Sequence, residues 1–65
     1  MSANEKIIRE WFESTNMPMA ERCDIFPNTF ISNSRFGYTL DRFDNLADAE
    51  EYTLEYYSAR IHLLA

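Results

Sequence analysis

The sequence predicts a small single α+β domain spanning residues 1–65, in which an N-terminal helix, a short helix and a β-hairpin precede a long C-terminal helix. A chain of 65 residues is too short for two independent cores. Apolar residues recur at helical spacing near both ends of the chain, and they alternate with polar residues in its middle. An all-α arrangement containing a helix-turn-helix is the alternative.

The first helix is predicted from Ala3 to about Thr15. Ser2 and Glu5 have the spacing of a capping box, in which each side chain accepts a hydrogen bond from the other residue's backbone N–H. Pro18 prevents the helix from continuing. The apolar residues that fall on one face of this helix are Ile7, Ile8, Trp11 and Phe12.

The segment after this helix predicts a short second helix that runs through Cys23. Asn16 is a suitable cap, Pro18 would lie in the first turn, and Pro27 would end the segment.

The middle of the chain predicts a β-hairpin with strands at Asn28–Ser32 and Arg35–Phe43. Phe36, Tyr38 and Leu40 alternate with polar or small residues, which is typical of a half-buried strand. Asn33 tolerates a left-handed backbone and suits the tight connection.

The final helix is predicted from Leu46 to about Leu64, with Asp44 or Asn45 as its N-cap. Acidic residues are concentrated in its first turns, whereas Arg60 and His62 lie near its end. The helix dipole favours this polarity.

The composition argues against an enzyme, a cofactor or a metal site. Cys23 is the single cysteine and His62 the single histidine, so together they supply two of about four zinc ligands. Cys23 is more ordinarily a small buried hydrophobic residue, and His62 a cation that interacts with the C-terminal end of the helix dipole, than the two members of a catalytic dyad. Gly37 stands alone, and no glycine-rich phosphate loop is present.

The overall charge favours a basic protein partner over nucleic acid. Eleven acidic residues against six basic ones give a formal charge of −5, whereas phosphate binding needs clustered Lys and Arg. No apolar run approaches the roughly 20 residues that span a membrane, so we expect a cytoplasmic protein without a membrane partner. Because so small a core leaves only a few kcal/mol of stability, we also expect a homodimer or a partner-bound state.

The last helix carries the candidate binding residues. Asp44, Asp48, Glu51 and Glu55 project onto one stripe about 60° wide at 100° per residue. Such a row of negative charge could occupy the basic groove of a nucleic-acid-binding protein by imitating DNA. The ordinary alternative is the solvated polar face that every amphipathic helix needs.

The same helix has two apolar seams about 140° apart, where a helix on the surface of a small domain needs one. We therefore expect one seam to face the core and the other to meet another chain, with Tyr52, Tyr56 or Tyr57 as apolar anchors. Alternatively, the hairpin covers both seams. The first seam is Ala49, Tyr52, Tyr56, Ala59 and Leu63, and the second is Leu54, Tyr57, Ile61 and Leu64.

The segment Met19–Phe30 resembles part of a helix-turn-helix DNA reader. Ala20 matches the small residue within the first helix, and Asp24 stands where that family often has glycine. The resemblance implies a recognition helix near Pro27–Arg35 and a dimeric DNA-binding regulator. The apolar positions that match are Met19, Cys23, Ile25 and Phe30. Arg35 would contact phosphates, and the residues for base contacts would be Asn28, Thr29, Ser32 and Asn33.

Taken together, these features predict a non-enzymatic, acidic protein-binding module that acts as an inhibitor or adaptor. Small acidic chains with few cysteines are typical of phage or mobile-element proteins that block a host nucleic-acid enzyme. The DNA-binding regulator and a structural subunit of a larger assembly are the alternatives.

Overall fold

The computed structural model describes the backbone of residues 3–64 and the side chains of residues 3–61. Two terminal helices and a three-stranded antiparallel sheet of order β1-β2-β3 form the fold, with α2 packed between α1 and the sheet, which confirms the α+β class. No helix within the described residues is long and apolar enough to cross a membrane. The elements are α1 (Ala3–Ser14), β1 (Ala20–Arg22), β2 (Phe30–Asn33), β3 (Thr39–Phe43) and α2 (Leu46–Leu64).

Helix α1 ends one residue before the predicted boundary, in a left-handed C-terminal cap. Asn16 has φ +58°; its N–H donates to the Glu13 carbonyl (3.1 Å), and the Met17 N–H donates to the Phe12 carbonyl (3.1 Å). This pair of hydrogen bonds satisfies carbonyls at the helix end. At the other end, the Ser2 half of the predicted capping box lies outside the described residues.

The predicted short helix from Asn16 to Cys23 is wrong. Asn16 ends α1 and does not begin a new helix, and Ala20–Arg22 forms the edge strand β1. Ala20 pairs with Ser32 across the sheet, and the Cys23 N–H donates to the Thr29 carbonyl (2.8 Å). Pairing with β2 therefore supplies hydrogen bonds that a helix would have formed locally.

The hairpin is confirmed, with shorter strands than predicted. Strand β2 pairs antiparallel with β3, with an irregularity between Ser32 and Asn33. The connection is organised by the Ser34 hydroxyl oxygen, which accepts hydrogen bonds from the Phe36 N–H (3.1 Å) and the Tyr38 N–H (3.2 Å).

The prediction that Asn33 forms the tight connection is wrong. Asn33 lies in β2 and is buried, and its amide donates to the Pro18 carbonyl (2.9 Å) and to Glu21 Oε1 (3.0 Å). The positive φ in the connection belongs to Gly37 (+92°), the residue that adopts it with least strain.

One backbone N–H of strand β3 is hydrogen-bonded by a side chain of the same strand. The Arg42 N–H donates to the Asp41 carboxylate Oδ1 at 2.8 Å, while Asp41 pairs with Ser32 and Arg42 with Ile31 in the register with β2. This N–H is therefore bonded within β3.

Helix α2 begins with the predicted cap, and Asn45 is the capping residue. The Asp48 N–H donates to Asn45 Oδ1 (2.8 Å), and Asn45 Nδ2 donates to Asp48 Oδ2 (2.9 Å). This reciprocal arrangement fixes the first turn of the helix.

The core lies where α2 packs against α1 and the sheet. The Tyr57 ring meets Trp11 and Phe12 edge to face, with centroid distances of 6.1 and 5.9 Å. Thr53 is fully buried on the same helix, and its hydroxyl donates to the carbonyls of Met19 (2.9 Å) and Ala49 (3.1 Å). The core cluster consists of Ile8, Phe12, Met19 and Tyr57.

Candidate protein-binding face

The four predicted acidic residues are all exposed on one side of the molecule. Asp44 precedes α2, and the others follow along the first half of that helix. We call this set, Asp44, Asp48, Glu51 and Glu55, the acidic row. The last three lie three or four positions apart, the spacing that makes residues neighbours on a helix surface.

The carboxylates of the acidic row are not neutralised by the described part of the chain. The ion pair found among residues 3–61 joins Arg9 to Glu5 (3.3 Å) within α1. Asp48 accepts a hydrogen bond from the neutral amide of Asn45. The negative charge of the row is therefore available to an external cation.

The arginines closest in sequence to the acidic row lie on aromatic rings. The Arg42 guanidinium carbon is 5.1 Å from the centre of the Phe26 ring. That of Arg60 is 3.4 Å from the centre of the Tyr56 ring, and Arg60 also donates to the Tyr56 carbonyl (3.0 Å). Both contacts have cation–π geometry.

The structure brings Tyr52 into contact with the acidic row. Its half-buried ring lies 5.3 Å from that of Phe43 and 6.3 Å from that of Tyr56. A shallow depression of about 210 Å³ lies where the first half of α2 meets the end of β3. Its lining residues are Phe43, Asp48, Glu51, Tyr52 and Glu55.

Tyr57 does not belong to this face, and its predicted role as an anchor needs correction. The residue is 5% exposed within the core, and its hydroxyl accepts a hydrogen bond from the Arg35 N–H (2.8 Å). Tyr56 lies between the two environments, half-buried and stacked edge to face on Tyr57 at 5.0 Å.

The two apolar seams of α2 are not separate surfaces. Thr53, which lies between them, is fully buried, and Ala49 and Tyr57, one from each seam, are buried beside it. Leu54 and Ile61 are half-buried against the core. The hairpin and α1 thus cover the middle of both seams, as the alternative interpretation expected. The side chains of Leu63 and Leu64 lie outside the described residues.

The recognition helix implied by the helix-turn-helix resemblance is wrong. Phe30–Asn33 is an extended strand in the centre of the sheet, because its backbone pairs on both sides. Ser32 and Asn33 are buried, and Arg35 lies over the Trp11 ring at 4.7 Å. Of the residues proposed for base contacts, Asn28 is exposed in a turn with φ +55°, and Thr29 is half-buried.

The residues that the sequence did not identify are Phe43 and Phe26. Phe43 lines both the 210 Å³ depression and a second one of about 380 Å³, which Phe26, Arg42 and Asp44 also line. Phe36, Tyr38 and Leu40 lie at every second position, and Phe43 is one position out of this alternation, so the pattern does not predict it as an inward-facing residue. No local pattern links Phe26 to β3, because the two come together only through the sheet.

Within the described residues, no group of three His, Cys, Asp or Glu side chains is arranged to hold a metal ion. Cys23 is half-buried after β1, and the side chain of His62 lies outside the described residues. Comparison of the chain with protein-family models, with curated proteins and with solved structures finds no match.

Proposed function

We propose that this protein is a non-enzymatic inhibitor or adaptor of the cytoplasm that docks its acidic row onto the basic surface of a nucleic-acid-binding protein. The observation that carries the proposal is a row of exposed carboxylates that no described arginine or lysine neutralises. Complementary charge on a partner would speed association and direct it to this face.

The scaffold supports the proposal because it holds the row rigidly. Asp48, Glu51 and Glu55 lie on a helix of 19 residues that packs on α1 and on the sheet. From Asp48 to Glu55 the helical part of the row covers about 10 Å at a rise of 1.5 Å per residue. Phosphates recur about every 3.4 Å along one strand of DNA, so these three carboxylates span about three phosphate steps.

The test is displacement of DNA or RNA from a panel of purified basic nucleic-acid-binding domains, each loaded with a fluorescent duplex. The double variant Glu51→Lys/Glu55→Lys changes the formal charge from −5 to −1, because each substitution adds two units. Asp48 is left intact because it supports the Asn45 cap. The matched control is Glu10→Lys/Glu13→Lys on exposed positions of α1, which also gives −1.

We expect the protein to displace the duplex from at least one domain at 50 mM salt and less at 200 mM salt. The α2 variant should need at least ten-fold more protein for the same displacement, and the α1 variant about the same amount as the parent. No displacement across the panel, or equal loss in both variants, would overturn the proposal. A structural subunit would be insensitive to both variants.

The proposal includes a homodimer, which exposed apolar side chains support. Phe36 and Tyr38 are 76% and 53% exposed, and both lie in the short connection between β2 and β3. Exposed apolar side chains that lie together mark protein contacts more often than scattered ones do. Sedimentation equilibrium between 5 and 200 µM (a range of about 40-fold chosen to bracket weak association) should give a mass that rises towards twice 7.7 kDa; a constant monomer mass would refute the homodimer.

A further inference from the structure

Two shallow depressions beside the acidic row share the Phe43 side chain in their lining. Tyr52 lines the depression on the α2 side, and Phe26 and Pro27 line the one on the loop side. We call this surface the Phe43 groove. Phe43 and Tyr52 are half-buried, so part of each side chain is accessible to solvent.

The chain itself uses arginine to cover aromatic rings next to this groove. Arg42 lies over Phe26 on one side, and Arg60 lies over Tyr56 on the other. Between them, no guanidinium or ammonium group of residues 3–61 lies over Phe43 or Tyr52. Phe43 and Tyr52 thus lie between two aromatic rings, Phe26 and Tyr56, that each already have an arginine over them.

We propose that the Phe43 groove binds an arginine side chain of the partner protein, with its guanidinium plane over the Phe43 and Tyr52 rings. The inference rests on the proposed function, since it names the side chain with which a basic partner engages the acidic row. The carboxylates of Glu51 and Glu55 border the same depression, so they are placed to accept hydrogen bonds from the guanidinium N–H groups.

Charge and shape together favour arginine as the occupant. A guanidinium is planar, stacks on aromatic faces and donates in a fork to carboxylates, whereas a lysine ammonium is a compact, strongly hydrated point charge. Of the two depressions, the one beside Glu51 and Glu55 is about 210 Å³ and the one beside Phe26 is about 380 Å³, against roughly 300–1,000 Å³ for typical small-molecule pockets. The smaller depression, which Tyr52 and the two carboxylates line, suits the end of one side chain.

The experiment compares two synthetic peptides of equal length and charge, one with arginine and one with lysine at every basic position. Binding is followed by two-dimensional NMR at 50 mM salt, with the side-chain signals of Phe43 and Tyr52 as reporters. The test variant is Tyr52→Leu, with Phe43→Leu as a second variant if the first fails to fold. The control is Ile7→Ala, which removes an exposed apolar side chain from α1, outside both the groove and the proposed dimer surface.

We expect the arginine peptide to bind about two- to five-fold more tightly than the lysine peptide, the preference that one exposed cation–π contact provides. Tyr52→Leu should remove this preference without abolishing binding, and Ile7→Ala should preserve it. If the parent binds both peptides equally well, the arginine inference is overturned. If Glu51→Lys/Glu55→Lys weakens that binding, the proposed function still stands. Absence of binding by either peptide would count against both.

Discussion

Replacing Tyr57 by phenylalanine tests whether the core of this small domain depends on one buried hydroxyl. The variant keeps the ring, and with it the edge-to-face contacts to Trp11 and Phe12. It removes the oxygen that accepts the Arg35 N–H at 2.8 Å. That N–H anchors the β2–β3 connection to α2, so the variant leaves an unpaired donor at the edge of the core.

The expected cost is about 1–2 kcal/mol of unfolding free energy. A net hydrogen bond contributes roughly 0.5–1.5 kcal/mol, and an unsatisfied buried donor costs about 1–3 kcal/mol. The lower part of this range applies because Arg35 is half-buried and water reaches the site in part. For a domain of 65 residues with a total stability of about 3–10 kcal/mol, the loss is a substantial fraction.

Urea denaturation followed by far-UV circular dichroism measures this cost directly. Thermal unfolding should show a fall in Tm of about 4–8 °C for each kcal/mol lost. Tyr52→Phe is the control, because no hydrogen bond to its hydroxyl is found among the described residues, and it should change stability by less than about 0.5 kcal/mol. Equal stabilities of the Tyr57→Phe variant and the parent would refute the contribution assigned to the hydrogen bond between the Arg35 N–H and the Tyr57 hydroxyl.

Three further predictions concern the backbone, the buried threonine and the tyrosine pair. Asn16→Gly should stabilise the fold by about 0.5 kcal/mol in urea unfolding, because glycine adopts the left-handed conformation at φ +58° without strain. Thr53→Val should cost about 1 kcal/mol in the same assay, since it removes the buried donor to Met19 at similar volume. A hydrogen bond with the Tyr56 side chain raises the pKa of Tyr38 above its usual 10.0. The fold therefore favours the neutral phenol, and the stabilisation from this pair is complete below about pH 10 and is lost as the pH rises through the pKa of Tyr38. Ultraviolet titration should show that pKa falling in Tyr56→Phe; an unchanged value would contradict the pairing.

The sequence predicted the elements whose signals are local. The apolar spacing of α1 and the Asn45 cap of α2 each depend on a few neighbouring residues. The hairpin forms in the predicted region, but the alternation did not predict its buried side: Phe36 and Tyr38 are exposed and precede β3. The short helix failed because Asn16 suits both the start of one helix and the left-handed end of another. The two possible roles of Asn16 are distinguished only by the pairing of Ala20 with Ser32, which lies twelve positions later in the chain.

The candidate site was predicted in part for the same reason. The acidic row follows from helical periodicity, and the structure leaves it exposed. Assigning Tyr57 to a partner surface failed because the burial of Thr53 was not foreseen. A threonine becomes a core residue here through its hydrogen bond to the Met19 carbonyl, which is 34 positions away in the chain. The Phe43 groove likewise depends on how the sheet and α2 meet.

The contact between Asp41 and the backbone of Arg42 limits how copies of this protein associate. An open strand edge invites another strand to add to it, and chains that do so successively form fibrils. Here one N–H of β3 is already occupied by a charged neighbour, and β1 is only three residues long. Growth of a continuous intermolecular sheet from the β3 or β1 edge is therefore discouraged.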